Sequence, residues 1–411
     1  MRLQSWLACL VAVVVTIGLG AAEGPARTAR LIEVALACFF GAGALLGVGY
    51  TLLSSALIGR FFSRKPAEPA AFPAVTIVKP LRGAERDLRA NLASFCRQDY
   101  PGPVQHLFGT SEPDDPALAA VEAVQSDFPG ARFTVVSDSR LHGPNRKVSN
   151  LINMLARAEH DILVFADSDV GAPVDYLRRI VGELERPGVE LVTCAYFGRP
   201  DPGFWPRLSA MATNYQFLPS AVTGHSLGLA HPCFGQTIAL RRRTLERIGG
   251  LGPLAHHLAE DHAIGAAVRG QGGTIAIPPM AISHSCPEDS LRRLLAHELR
   301  WSRTIRGVEP LGHLGSALIH PFAFALLALL FSWGAPWAWA VVALALASRV
   351  ALKAASDRAL GLSNRDLWLL APWDLVAFGI FVASHFSDRV TWRGTALKVD
   401  NRGLLRPAET P

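Results

Sequence analysis

Residues 161–169 read DILVFADSD, a short and nearly continuous apolar run that ends on acids. It follows the helix-like KVSNLINMLARA of 147–158. An apolar run of that length between polar residues predicts a buried strand. Outward from it, AVTIVKP from Ala74, a helical stretch through Cys96, VQHLFGT, a helix after Pro116 and RFTVVS follow one another. This is a βαβ rhythm, so the fold class is α/β. The acidic end of the 161–167 run then lies at a carboxyl edge, where ligands of open α/β sheets gather.

Half of the 411 residues are apolar, 18% are charged and the formal net charge is +6, which argues against a purely soluble chain. Residues 6–22 and 31–59 are each long enough to cross a hydrocarbon core, which takes about 20 apolar residues. The first reads as a signal anchor, with a cleaved signal peptide as the other reading. Further apolar blocks lie near 313–332, 335–352 and 367–386. The expected organisation is an anchor over 1–60, a catalytic domain over 61–312 with an interfacial helix near 288–306, membrane segments over 313–390 and a basic tail over 391–411. Arg60, Arg64 and Lys65 follow the second apolar segment and place the middle domain in the cytosol by the positive-inside rule. Three C-terminal spans would carry Arg389, Arg393, Lys398, Arg402 and Arg406 to the far side. Either one block, interrupted by Pro321 or Pro372, is re-entrant or interfacial, or the tail departs from the rule. Cys9, Cys38, Cys96, Cys194, Cys233 and Cys286 have no zinc-ligand spacing and read as reduced thiols. No nucleic-acid partner is expected.

Asp167 and Asp169 stand two apart after a strand, so extended backbone lets both carboxylates face one side and share a divalent cation. Ser111–Pro116, with Asp114 and Asp115, reads both as a capped turn and as a carboxylate for a base or ribose. Either aspartate could serve. Lys147 and Asn150, after the turn at 142–145, open a helix in a manner suited to ribose and phosphates, or to a solvated basic turn. Glu260-Asp261-His262 begins a helical stretch, where acids complement the dipole or supply a base. Leu291, Leu294, Leu295 and Leu299 form the apolar stripe of an amphipathic helix that also carries His297, Arg300 and Trp301.

These residues resemble the ceramide glucosyltransferase family, including its bacterial branch of hopanoid-biosynthesis glycosyltransferases. The resemblance runs from Lys79-Pro80-Leu81-Arg82-Gly83 through Asp114-Asp115-Pro116-Ala117, Lys147 with Asn150, Asp167-Ser168, Ala259-Glu260-Asp261 and Arg300-Trp301 to Trp392-Arg393-Gly394. It implies a GT-A (Rossmann-like) domain, an inverting mechanism, a UDP-sugar donor and Mg2+ or Mn2+. It also implies a catalytic set of Asp261, Arg300, Trp301 and His297. A donor set of Lys79, Pro80, Asp114, Asp115, Lys147, Asn150 and Asp167 comes with it, as does a metal pair, Asp167 and Asp169. His297 stands where the family pattern has Gln or Arg.

The expected activity is transfer of glucose or N-acetylglucosamine from the UDP-sugar to a hydroxyl of a ceramide-like or hopanoid lipid. The enzyme would sit in a bacterial inner membrane with its catalytic domain facing the cytosol. A processive polysaccharide synthase is the enzymatic rival, disfavoured by the few C-terminal spans. A non-catalytic membrane scaffold is the other, disfavoured because no acid of the pattern is lost.

Overall fold

The structure, a computed structural model, describes residues 25–363, 365–386, 389–392, 395–399 and 405–407. The apolar segment 6–22 lies outside them. A long helix, α1 (Pro25–Phe62), leads into the main sheet. Four parallel strands come first: β1 (Val75–Pro80), β2 (Val104–Thr110), β3 (Arg132–Ser137) and β4 (Ile162–Ala166), in the order β3-β2-β1-β4. Right-handed parallel pairing needs crossovers. The helices α2 (Leu88–Cys96), α3 (Ala117–Asp127) and α4 (Arg146–Leu155) supply them.

The predicted strand at 161–167 is β4, and its side chains alternate between two cores. Ile162, Val164 and Ala166 enter one with Val75 and Ile77 of β1. Leu163 and Phe165 enter the other with Val78, Leu107 and Leu151. Apolar burial on both faces is why this run shows no polar alternation.

After β4 the chain forms β5 (Val170–Gly171), α5 (Tyr176–Leu184), β6 (Val189–Thr193) and β7 (Ala195–Pro200). Next come α6 (Phe204–Ala212), a π-helical turn at Thr213–Phe217, α7 (Leu218–Ser226), β8 (Thr237–Arg241), α8 (Arg242–Arg247) and α9 (Glu260–Gly270). Then follow β9 (Thr274–Ala276) and β10 (Ala281–Cys286). β8 pairs antiparallel with β4 and with β6, and β9 extends the main sheet beside β6. A second sheet, β5-β10-β7, begins immediately after Asp169.

Ser290 caps the amphipathic helix α10 (Leu291–Val308), its side chain accepting from Arg293 N. The remaining helices are α11 (Pro310–Gly315), α12 (Pro321–Phe331), α13 (Pro336–Leu360) and α14 (Leu370–Ser384). Among the described residues three stretches are long and apolar enough to cross a membrane: Ala26–Phe62, Pro336–Leu360 and Leu367–Ser384. A fourth candidate is the pair Pro310–Ile319 and Pro321–Phe331, bent by 66° at the proline the sequence marks.

α12 and α13 form a hairpin against α1. A Cβ on Gly47 would lie 2.8 Å from Leu318 O, and one on Gly41 3.0 Å from the Trp337 ring, so small residues let these backbones approach. The leucine stripe of α10 does not face lipid alone. Leu294, Leu295 and Leu299 pack with Leu370, Trp373 and Ile380 of α14. The tail forms a three-stranded antiparallel sheet, β11 (Arg389–Trp392), β12 (Thr395–Val399) and β13 (Leu405–Pro407), and β11 packs on α10.

Candidate functional site

The carboxyl ends of β1, β2 and β4 open onto a cleft of about 140 Å³ whose lining includes Pro80, Asp115, Lys147, Asn150, Asp167 and Asp169. Sequence spacing alone could not show that these six share a wall; the parallel register of β1, β2 and β4 does it.

Asp115 resolves the choice between the two aspartates. It is buried, and its Oδ1 accepts from Gly83 N at 2.7 Å and Ala117 N at 2.9 Å. The capping role is therefore real, and it also ties the loop after β1 to the loop after β2. Gly83 sits at φ 73°, a left-handed conformation that favours glycine. Asp114 is exposed and lies outside the cleft lining.

Lys79 also lies outside it. Its ammonium is fully buried, donates to the carbonyl of Asp167 at 2.8 Å and lies 3.6 Å from the Phe95 ring centroid. Burial pulls its pKa down to about 7. Lys79 thus braces the backbone beneath the acidic loop instead of facing a donor, which corrects its place in the predicted donor set.

Lys147 is the central cation. Its Nζ lies 2.6 Å from Asp167 Oδ1 and 3.0 Å from Glu260 Oε1. Although burial opposes its charge, Asp167 and Glu260 hold its pKa above the usual range. Asn145 caps α4 by accepting from Val148 N at 3.1 Å, and its amide donates to Glu260 Oε2 at 3.2 Å. Both oxygens of Glu260 are therefore held from α4, and the first turn of α9 is fastened beside the acidic loop.

That turn carries Asp261. Its Oδ2 accepts from Gly235 N at 3.0 Å and its Oδ1 from His262 N at 2.8 Å. Burial, then Glu260, pushes its pKa up to about 6, while the two backbone N–H groups oppose the shift. A carboxylate so placed exchanges a proton near neutral pH. Gly235 fits closely, since a Cβ there would stand 3.1 Å from Asp261 Oδ2.

Three partners carry little signal in the sequence. Glu85 accepts from Ser168 Oγ at 2.9 Å, and burial followed by Asp169 raises its pKa to about 7. His284 of β10 brings Nδ1 to 3.5 Å from Asp169 Oδ2. Glu288 binds His297 Nδ1. Each is delivered by sheet pairing or a loop, so periodicity could not have found it.

The amphipathic helix carries Arg300 and brings its neighbour Trp301 beside this region. The Trp301 ring lies 5.8 Å from Phe217, 6.4 Å from Tyr196 and 4.9 Å from His297, centroid to centroid. Tyr196 in turn lies 5.6 Å from His284. Rings therefore connect Trp301 to the acidic loop.

The acidic loop fits a hard divalent cation. Asp169 Oδ1 is buried without a hydrogen-bond partner, and the facing carboxylates Asp167 and Glu85 leave negative charge to offset. Among the described residues no three His, Cys, Asp or Glu side chains form a complete metal cage. Further oxygen ligands would have to come from a ligand in the cleft.

The family model described as "Glycosyl transferase family 21" matches residues 39–405. Ceramide glucosyltransferase 3 of Caenorhabditis elegans is 22% identical over 238 residues, 58% of this chain and 51% of that one. A ceramide glucosyltransferase of Gibberella zeae is 30% identical over 163 residues, 35% of this chain and 31% of that one. The chain thus spans about half or less of the length of these two curated relatives. Among solved structures, a mannosyltransferase from Pyrobaculum calidifontis in complex with GDP-Man and Mn2+ superposes with a TM-score of 0.50 at 22% identity. The match covers 86% of this chain and 99% of that one, a likeness that bears out the GT-A fold.

Proposed function

The chain belongs to glycosyl transferase family 21, and on that premise we propose that it is an inverting membrane glycosyltransferase. It moves glucose or N-acetylglucosamine from a UDP-sugar to a hydroxyl of a ceramide-like or hopanoid lipid. The observation that carries this reading is the Lys147 bridge, which ties the Asp167 loop to the first turn of the helix that carries Asp261. In this reading the donor lies over the Asp167 loop and the base comes from the helix of Asp261.

Asn150 and Asp115 line the part of the cleft that takes the nucleoside. Asp167 and Asp169 would hold Mg2+ or Mn2+, which when bound offsets the charge of the donor diphosphate. The Asp261 carboxylate takes the proton of the lipid hydroxyl. As that oxygen bonds to the anomeric carbon, the bond from that carbon to UDP breaks and UDP leaves from the other face. A single displacement inverts the anomeric centre. Arg300 adds positive charge near the leaving group, and Trp301 offers a flat apolar face to sugar or acceptor.

The acceptor arrives from the membrane. α6 begins with exposed Phe204, and Leu227 and Leu229 just beyond α7 are exposed too, Leu229 by 70%. His225 meets Phe61 at the domain end of α1, a contact that supports an edge near the headgroups. The proposed location is a bacterial inner membrane, and Arg60, Arg64 and Lys65 at that same end support a cytosolic catalytic domain.

The test is UDP release by detergent-solubilised protein with Mn2+ or Mg2+, across UDP-sugars paired with ceramide, hopanoid polyol or no lipid. Lipid-dependent release that is absent in Asp261→Asn is the expected result. Equal release by the variant and the parent would overturn the assignment of Asp261.

A further inference from the structure

β10 serves two places at once. Its His284 approaches Asp169, and two residues beyond its end Glu288 meets His297 on α10. Glu288 is 7% exposed, and both its oxygens are engaged: Oε1 by His297 Nδ1, Oε2 by Ser209 Oγ of α6 at 2.8 Å. Burial works against its charge, yet the bond from His297 and the Ser209 hydroxyl hold its carboxyl below the usual range. An ionised carboxylate can only accept, so the imidazole proton shared with it belongs to Nδ1. The other nitrogen, Nε2, is bonded to none of the described residues. The ring is steadied further by Trp301, which meets it edge-on at 87°.

We propose that Glu288 is a positioning residue that fixes His297 in the tautomer carrying its proton on Nδ1, so that Nε2 offers a lone pair to a substrate hydroxyl. A carboxylate on one ring nitrogen sets what the other can do, as it does wherever an acid orients a histidine. The inference rests on the transferase reading and adds to it Glu288, which the catalytic set implied by the resemblance does not include.

The experiment uses the full-length protein in detergent with histidine side chains labelled with nitrogen-15, alongside UDP-release kinetics and calorimetric UDP binding. The spectrum of the parent, assigned by comparison with His297→Gln, should show Nδ1 protonated and Nε2 bare. In kinetics His297→Ala, which removes the imidazole, should lose most activity. Glu288→Gln, whose amide can present either N–H or C=O to the ring, should cost about 10- to 100-fold, as loss of an orienting partner does elsewhere. Added to a protein that already carries His297→Ala, the same change should cost nothing further. A protonated Nε2, or an equal Glu288→Gln loss with and without His297→Ala, would each overturn the proposal. Failure of the transferase reading looks different: the parent would neither bind UDP nor release it, whatever the tautomer of His297.

Discussion

Asp261 shows how far a single residue could be read in advance. Its place in the order of acids marked it as a base, but its proton affinity comes from burial, from Glu260 and from two backbone N–H groups that only the fold assembles. With its pKa raised to about 6, the carboxylate is the working form above that pH and is lost below it. kcat/KM should therefore fall about tenfold per pH unit on the acid side of roughly pH 6, the behaviour of a required base. A flat profile between about pH 5 and 7, with UDP binding unchanged, would count against this role. Gly235 offers a second check. Replacing it with alanine crowds Asp261 Oδ2, whose nearest approach to the new methyl is 3.1 Å. The expected outcome for Gly235→Ala is a lower kcat with little change in UDP affinity, read from initial rates and calorimetry. Lys79 teaches the opposite lesson. It sits in the family-like Lys-Pro-Leu-Arg-Gly run, yet strand alternation turns its ammonium under the sheet toward Asp167 O and Phe95. No pattern of types along the chain distinguishes a lysine facing a ligand from one bracing a loop.

Among the elements, strands buried on two faces announced themselves because an apolar run of five or six residues leaves few alternatives. β1, β2 and β4 stand where the βαβ rhythm put them. β5, β7 and β10 carried weaker signals: they are short or mixed in polarity, and β10 pairs with strands that lie far back along the chain. Helix contacts were hidden too. The leucine stripe of α10 suggested a lipid-facing helix, and its partner turned out to be α14. The α1–α12 crossing depends on Gly47, which faces the Leu318 carbonyl and Pro321. Gly47→Val should force the helices apart and destabilise the fold by about 1–3 kcal/mol, the usual cost of overfilling a close contact. A lowered midpoint of thermal aggregation in detergent would register it, while Gly49→Val, where a Cβ meets nothing within 4 Å, should leave that midpoint in place.

For the molecule as a whole, the open matter in the sequence was the side of the membrane on which the basic tail ends, and the packing argues for the catalytic side. α1 reaches the domain at Phe61, where Arg64 Nη2 donates to Ile277 O at 3.1 Å. α12 then runs to the opposite end of α1, where Phe331 stacks on Phe40 and Trp333 Nε1 donates to Glu33 Oε2 at 3.0 Å. α13 returns, and its last turns at Ala355, Ala359 and Leu360 pack against the core of the catalytic domain. The hairpin thus begins and ends on one side. α14 is apolar enough to cross, but its residues from Leu370 to Ile380 lie along α10, and Arg306 Nη1 donates to His385 O at 3.4 Å just beyond it. It is also joined to α13 by Arg349, 2% exposed, whose guanidinium grips Asp374 through Nε and Nη2. A buried ion pair of this kind is expensive to break, by about 3–5 kcal/mol when one partner is removed. An α14 held along α10 packs as an interfacial helix would, and β11 continues the chain onto the same helix. An interfacial α14 would keep Arg389, Lys398 and Arg406 with Arg60, Arg64 and Lys65, as the positive-inside rule asks at both ends. A green fluorescent protein fused after Pro411 should be fluorescent in the cytoplasm, and alkaline phosphatase fused there should be inactive. The reverse pair of results would mean that α14 crosses the bilayer and that its packing along α10 does not describe the protein in its membrane.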